Sequence, residues 1–597
     1  MKAVILAAGF GNRMRPLTFK THKTLLSVGD QTIIERIINS LISHNIKEII
    51  LVTGYQADSI RGHLDARFPD LKVQYVHNPD YLKTNNIYSL WLAFQHADIN
   101  SDFLLIESDL IYNPKIIEKI LSSSYPNVAL VDRFKRGMDG TVVSLDGSII
   151  TNVIPPHLQG ENFDFSDKFK TLNIYKFSQE FVNKVFKNLL DYYVKIFDKK
   201  SYYELVLGML VYAQQETIYA EVVHETDAWA ELDDPNDFSV AEYTFCPAKR
   251  YHILERSYGG YWHYDFLDFA YIRNFYFPTD SIIAELKANL AVFLGSYCSS
   301  QKILNQKLAN FLWCSPERVH LLNGASQAYP ILAEYLSGKK LLIPEPTFGE
   351  YKSRFINTSV YFDRPGYSLA DIENSFGGCD VVVIVNPNNP TGSFCKTDEI
   401  YQLAARNPGK IFLIDESFID FSVEQSILGL LESKPLDNII VIKSLSKCLG
   451  VPGLRLGFVY SCSGSFLNFI AARIPIWNMN SLAEFFLELI LKHRPDLQMS
   501  FETTRQNRDF LQDELSTLAC ADKVFNSEGN FILLRLKDYV RSEDFCRNML
   551  ERYSIYLKDV SKKFSDGHGY IRFAVRRPAE NKMLIEKIKS QFDKKAV

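Results

Sequence analysis

Ser444-Leu445-Ser446-Lys447-Cys448-Leu449-Gly450-Val451-Pro452-Gly453-Leu454-Arg455-Leu456-Gly457-Phe458 decides how the second half of the chain is read. One lysine stands between hydroxyls in a glycine-punctuated turn, with an arginine eight residues on. A lysine amine forms a Schiff base with an aldehyde cofactor. Ser444, Ser446 and Arg455 are donors suited to that cofactor's phosphate. A lone lysine in a loop would read as an exposed charge; the full spacing argues for a cofactor seat.

The segments around it fall into the same pattern. Asn323-Gly324-Ala325-Ser326-Gln327 is a glycine turn at a helix start, where backbone N–H groups and the helix dipole receive phosphate. Val381 to Val385 is a continuous β-branched run, expected as a buried parallel strand. It delivers Asn386-Pro387-Asn388-Asn389-Pro390-Thr391-Gly392. Ile411 to Ile414 is the next strand and ends in Asp415-Glu416-Ser417-Phe418.

In this order the segments resemble the fold-type I pyridoxal-phosphate (PLP) enzymes, especially the histidinol-phosphate aminotransferase and threonine-phosphate decarboxylase group. The resemblance implies that Ala325, Ser326, Ser444, Ser446 and Arg455 hold the cofactor phosphate. Phe348, in Pro346-Thr347-Phe348-x-x-Tyr351, would stack on the pyridine ring, and Asn389 would bond its phenolic oxygen. Asp415 would pair with the ring nitrogen and keep it protonated. Lys447 would hold the cofactor and then, as a free amine, move the substrate proton. Arg572, in Ile571-Arg572-Phe573, would grip a carboxylate. Tyr297, in Gly295-Ser296-Tyr297, would reach the phosphate of a neighbouring subunit, which implies a homodimer through this domain. Phe418 stands where related aminotransferases carry Tyr, so one hydrogen bond to the cofactor is absent; the group includes members with either residue.

At the other end, Ala3 to Leu6 reads as a buried strand running into Ala7-Ala8-Gly9-Phe10-Gly11-Asn12-Arg13-Met14-Arg15-Pro16. Glycines let backbone N–H groups approach a phosphate or base closely. Lys23 follows in Thr21-His22-Lys23-Thr24-Leu25-Leu26. A bare G-x-G is weak, but the whole signature resembles the sugar and choline-phosphate nucleotidyltransferases. Thr32-Ile33-Ile34-Glu35 reads as a capping box opening a helix, and Ile49 to Val52 as the next strand. Such alternation implies a doubly wound, largely parallel sheet with its ligand at the carboxyl ends of the strands.

Asn78-Pro79 with Thr84-Asn85-Asn86-Ile87-Tyr88, and Met138-Asp139-Gly140-Thr141, resemble the bacterial choline-phosphate cytidylyltransferase branch. That implies nucleotide contacts from Leu6, Ala8, Gly9, Gly11, Arg13, Lys23 and Asn85. Asp109, ending Leu104-Leu105-Ile106-Glu107-Ser108-Asp109, and Asp233, in Trp229-Ala230-Glu231-Leu232-Asp233-Asp234, match the family's Mg²⁺ ligands. Hard carboxylates at strand ends are what Mg²⁺ on a nucleotide requires. Asp139, Tyr203, Trp229 and Glu231 are the candidates to hold a substrate amine by carboxylate and cation–π contacts. Taken singly, Tyr203 and Trp229 read as core rather than as a cage. The implied chemistry is attack of a phosphate or phosphonate oxygen on the α-phosphorus of CTP, with Arg13, Lys23 and magnesium neutralising charge.

At 597 residues the chain is too long for one core. The expected layout is α/β throughout: a doubly wound nucleotidyltransferase domain over residues 1–242, a junction over 243–257, and a fold-type I aminotransferase domain over 258–597. A net charge of −4 makes no case for nucleic acid or an acidic membrane surface. Nine cysteines without a C-x-x-C pair suit a reducing cytoplasm and argue against a disulfide framework. No secretory signal and no membrane span are expected.

Fusing the two sites suggests that one makes what the other uses. The sequence resembles a fused phosphonate cytidylyltransferase and aminotransferase. It implies amination of phosphonoacetaldehyde by an amino-acid donor and transfer of CMP to the resulting 2-aminoethylphosphonate. The rival is an amino-acid-phosphate decarboxylase feeding a phosphoethanolamine or phosphocholine cytidylyltransferase. A scaffold that has lost activity is a third reading, opposed by the intact Lys447, Asp415, Lys23 and Asp109.

Overall fold

The computed structural model describes residues 1–135, 137–364 and 368–593. Its internal contacts divide the chain into two compact units, Met1–Tyr264 and Asp265–Val597. The helices Pro235–Phe245 and Pro247–Ser257 therefore fold with the first unit, and the division lies beyond the expected junction. Proline at the first turn lets the second helix start directly after Cys246.

The first unit is built on a nine-stranded sheet. Lys72–His77, Glu48–Thr53, Lys2–Ala7 and Phe103–Glu107 lie side by side and parallel. The Lys2–Ala7 strand is apolar on both faces because both are covered: Ala3, Ile5 and Ala7 enter one core cluster, Val4 and Leu6 the other. The Ile33–Ser43 helix begins at the capping box, where the Thr32 and Glu35 side chains accept each other's backbone N–H. Past Phe103–Glu107 the sheet becomes mixed. Phe169–Phe177 runs antiparallel to Phe103–Glu107 and to Val128–Arg133. A hairpin, Val142–Asp146 with Ile149–Ile154, and a loop lead into it, and without a helical crossover nothing forces it parallel. The doubly wound reading thus describes the parallel half of this sheet only.

The second unit carries a seven-stranded sheet in the order Val319–Asn323, Leu456–Ser461, Ile439–Ser444, Ile411–Asp415, Val381–Val385, Leu341–Glu345, Thr358–Phe362. Leu456–Ser461 is antiparallel to both neighbours and the remaining pairings are parallel. Val381–Val385 is buried at every position, as its β-branched run requires. The helix Arg494–Ser516 leads on to a four-stranded antiparallel sheet that includes Tyr570–Ala574. Among the described residues no helix is long and apolar enough to cross a membrane.

Candidate active sites

In the first unit the Lys2–Ala7 strand runs into the glycine loop. Gly11 has φ +62°, the left-handed region where a side chain is strained, and Thr18 Oγ1 donates to its carbonyl at 2.8 Å. His22 ties the loop from below. Its Nδ1 accepts from Thr24 N at 3.1 Å, so its Nε2–H faces Gly9 O at 2.9 Å. Burial pushes the imidazole down to about 4, so it stays neutral.

The acids meet through a short antiparallel pairing. Phe103–Glu107 turns at Ser108–Asp109 into Leu110–Tyr112, which pairs with Trp229–Glu231 so that Leu110 lies opposite Glu231. Leu232 N donates to Asp109 O at 2.9 Å, and Asp233 follows directly. Carboxylate oxygens of Asp109, Glu231 and Asp233 lie within 4.8 Å of one another. Lys23 Nζ donates to Asp109 Oδ2 at 3.0 Å and Asp233 Oδ1 at 3.1 Å, and Arg13 Nη2 is 2.9 Å from Asp233. Burial opposes ionisation of Asp233, but Lys23 and Arg13 outweigh it and hold its carboxyl below the usual range. Asp109 Oδ1 is buried with no hydrogen-bond partner. An orphaned carboxylate oxygen among three acids is the donor set a hard divalent cation takes, so these residues fit Mg²⁺.

A cavity of about 640 Å³ opens here, lined by Leu6, Ala8, Gly9, Arg13, Asn85, Asp109, Asp139, Glu231 and Asp233. Gly11 and Lys23 are not part of that lining. Asn85 also caps the helix Asn86–His96, accepting from Asn86 N at 2.9 Å. Glu107, Glu204, Asn86 and Lys170 are also part of the wall. Asn86 Nδ2 donates to Glu107 Oε1 at 2.9 Å and to Glu204 Oε2 at 3.4 Å. Burial, then Asp109 and Glu204, raise Glu107 well above the carboxylate range, and burial raises Glu204. Glu231 is pushed up to about 7, chiefly by burial, although Lys170 Nζ lies 3.1 Å from its Oε2.

In the second unit the parallel strands end in register. Val385 lies opposite Asp415, and Asp415 opposite Ile442, so Asn386, Asp415 and Ser444 come out along one edge of the sheet. Asp415 is buried. Its Oδ1 accepts from Ser417 N at 3.0 Å and Ser417 Oγ at 2.6 Å, and its Oδ2 from Tyr351 at 2.8 Å and Tyr329 at 3.3 Å. Lys447 lies in the short helix Leu445–Cys448; burial, then Arg572 and Arg455, push its amine down to about 8.

Arg455 Nη2 donates to Ser326 Oγ at 3.0 Å. Gly324, at φ +75°, allows this approach, because a Cβ there would stand 2.3 Å from Arg455 Nη2. Ser446 is buried, its Oγ 3.4 Å from Leu456 O, and Ser444 N donates to Ser417 Oγ at 3.0 Å. Arg572 Nη1 donates to Asn389 Oδ1 at 2.8 Å and Nη2 to Ala270 O at 2.5 Å, while its Nε is buried without a partner. Phe348 is partly exposed, its ring 6.0 Å from Tyr329. A phosphate cradle, a buried carboxylate at a strand end, an amine poised near neutrality and an orphaned guanidinium N–H together fit PLP.

Residues 273–588 match the family of aminotransferases of class I and II. The chain belongs to that family. Residues 3–158 match the MobA-like NTP transferase domain. A CMP-5'-(3-aminopropyl)phosphonate synthase of Streptomyces rubellomurinus is 30% identical over 98% of this chain and 94% of its own length. An L-serine phosphate decarboxylase of Campylobacter jejuni is 29% identical over 49% of this chain and 79% of its own. The structure of a histidinol-phosphate aminotransferase from Clostridium acetobutylicum aligns with TM-score 0.50 and 23% identity, over 54% of this chain and 98% of that one, which shows the fold. The chain is thus an enzyme with a nucleotidyltransferase domain joined to a PLP aminotransferase-fold domain.

Two expected residues lie elsewhere. Tyr203 is wholly buried in the hydrophobic core, its ring 5.8 Å from Tyr175. It opens the helix Tyr203–Tyr212 and packs inward. Trp229 gives its indole N–H to Asp132 Oδ2 at 2.9 Å. Neither lines the cavity, so no aromatic cage forms from this pair. Glu231 stands with Asp109 and Asp233 rather than apart from them. Tyr297 is 79% exposed and stacks on Trp477, with ring centres 4.5 Å apart. Sequence reasoning passed over Glu107, Glu204, Lys170, His22 and Tyr329. Glu107 had a signal, an acid at the end of an apolar strand; the others had none.

Proposed function

We propose that this enzyme makes a short aminophosphonate and activates it as its CMP derivative. The second unit would convert phosphonoacetaldehyde, with an amino-acid donor, to 2-aminoethylphosphonate. The first would join CMP from CTP to a phosphonate oxygen, releasing pyrophosphate. The observation that carries this reading is the acidic wall of the nucleotide cavity. Glu107 and Glu204, bridged by Asn86, offer hydrogen-bond acceptors in a buried place. A primary ammonium supplies the donors and the charge they lack, whereas a quaternary amine has no N–H to give. A relative that covers nearly the whole chain is named for a CMP-aminophosphonate, which supports the same substrate class.

In the first unit Arg13 and Lys23 would neutralise the triphosphate and fix its approach. Asp109 and Asp233, with Glu231 beside them, would hold Mg²⁺, which when bound screens phosphate charge. In the second unit Gly324, Ser326 and Arg455 would seat the PLP phosphate. PLP, when bound, stabilises negative charge developing on the substrate carbon. Lys447 Nζ would carry the proton between that carbon and the cofactor; Asp415 would hold the ring-nitrogen proton, and Arg572 Nε would receive a substrate acid oxygen.

The test is kcat/KM with CTP and Mg²⁺ for 2-aminoethylphosphonate, phosphoethanolamine and phosphocholine. We expect the phosphonate to lead, with phosphoethanolamine lower by roughly ten- to a few-hundred-fold, the scale of small changes in a fitted pocket. Equal or better use of phosphocholine would sink the reading. The serine-phosphate decarboxylase relative favours a second reading, loss of carbon dioxide from an amino acid bearing a phosphate or phosphonate. Carbon dioxide release without use of an amino donor would decide for it.

A further inference from the structure

A second cavity, of about 510 Å³, opens in the C-terminal unit between the Pro346–Gly349 turn and the Lys562–Ser565 segment. Phe348, which would cover the cofactor ring, is part of its wall. Three lysines line it, Lys352, Lys562 and Lys563, against one carboxylate, Glu345. Lys352 stands 3.7 Å from Glu345 and answers that acid.

Lys563 has no such answer. Its half-buried Nζ donates to the neutral carbonyl of Thr347 at 2.6 Å. Among the described residues the charged groups acting on it are Arg572 and Lys558, both cations. Burial first, then these two, push its amine down to about 8. Arg572 repels Lys447 as well, and its own acidic neighbour is Asp268. Asp415 offsets charge at Lys447 and Asp268 at Arg572, whereas Lys563 feels only cations and lines an open cavity. A cation held out of water beside other cations is unfavourable until an anion joins it.

We propose that Lys563 is an anion-binding residue of the amine-forming site and takes the distal phosphonate of the substrate whose carbonyl end reacts at Lys447. This rests on the reading that the second unit acts on a phosphonate. A dianionic head relieves repulsion among several cations better than a single carboxylate does, and a compact ammonium at a cavity edge holds it as a point charge. The other source of a distal acid is the side-chain carboxylate of a dicarboxylic amino donor.

The experiment uses the full-length, PLP-loaded protein and three forms: wild type, Lys563→Met and Lys563→Arg. Methylphosphonate binding is measured by calorimetry. Steady-state constants are measured for phosphonoacetaldehyde with alanine and with glutamate as donors. We expect Lys563→Met, with an unchanged melting curve, to weaken methylphosphonate binding about tenfold, the scale of one charge-assisted hydrogen bond. KM for the phosphonate substrate should rise by a similar factor, kcat should fall less, and Lys563→Arg should restore binding. No methylphosphonate binding by wild type, or equal binding by folded Lys563→Met, overturns the proposal. So does an effect confined to KM for glutamate. If methylphosphonate binding depends on Lys563 but no phosphonate is turned over, the subsite stands and the transamination reading fails.

Discussion

Single residues set the chemistry through their surroundings. Lys447 is an ordinary lysine made unusual by burial and two arginines, which bring its amine down to about 8. Only the neutral amine has a lone pair to offer an aldehyde. The apoprotein should therefore take up PLP faster as pH rises through 8 and level off above it, followed by absorbance near the visible edge. A flat rate from pH 7 to 9 would contradict the environment described for Lys447. Glu204 lines the other cavity, and on the proposed reading it would accept from the substrate ammonium. Glu204→Gln should raise KM for 2-aminoethylphosphonate about tenfold or more and leave KM for CTP nearly unchanged, because it removes one charge-assisted bond to the amine.

His22 acts at the same scale on stability. Its folded pKa, about 4, lies below the ordinary 6.5. Between those values the unfolded chain binds a proton that the folded chain refuses, so stability falls as pH drops from 6.5 to 4, by up to about 3 kcal/mol for this group. Urea melts of the wild type and His22→Asn at pH 7 and 5 check this; the drop should shrink in the variant.

At the scale of elements, both sites lie where strands end. The sheets need continuous apolar strands, and the turns after them are free to carry polar residues. Close approach is what these turns demand of glycine. Gly54→Ala would bring a Cβ to 2.6 Å from Ala8 O, and Gly324→Ala would bring one to 2.3 Å from Arg455. Gly324→Ala should displace Arg455 from Ser326 and weaken PLP retention by an order of magnitude or more, read by dialysis, with secondary structure intact by circular dichroism. Many elements were readable from pattern. The capping box at Thr32 and Glu35 forms with both bonds, and the Val381–Val385 strand has the expected bounds. The Phe169–Phe177 strand was not, because its direction depends on what lies beside it in the sheet and not on its own composition.

For the whole molecule, the two sites belong to separate compact units. Lys447→Ala should abolish the amine reaction and change CTP turnover less than about twofold, as sites that share no partners behave independently. Asp109→Asn should do the reverse. Loss of cytidylyl transfer in folded Lys447→Ala would break the two-site account. Tyr297 and Trp477 form an exposed aromatic stack, and the proposed homodimer through the second unit predicts a sedimenting particle about twice the 68.6 kDa of the chain.

The sequence by itself determined which catalytic segments are present and in what order. The lysine turn, the Asp415 strand end and the glycine loop are each local, and local chemistry survives in a linear reading. Only the tertiary structure decided which side chains share a cavity. Tyr203 and Glu204 are adjacent in sequence, yet one fills the core and the other lines the cavity wall, because successive positions at a helix start face different neighbours. Asp109 meets Glu231 and Asp233 through the pairing of Leu110 with Glu231, and Lys563 meets Thr347 through the fold of the second unit. Burial and charge at such points come from residues far away along the chain, and it is they that set how readily each group holds its proton.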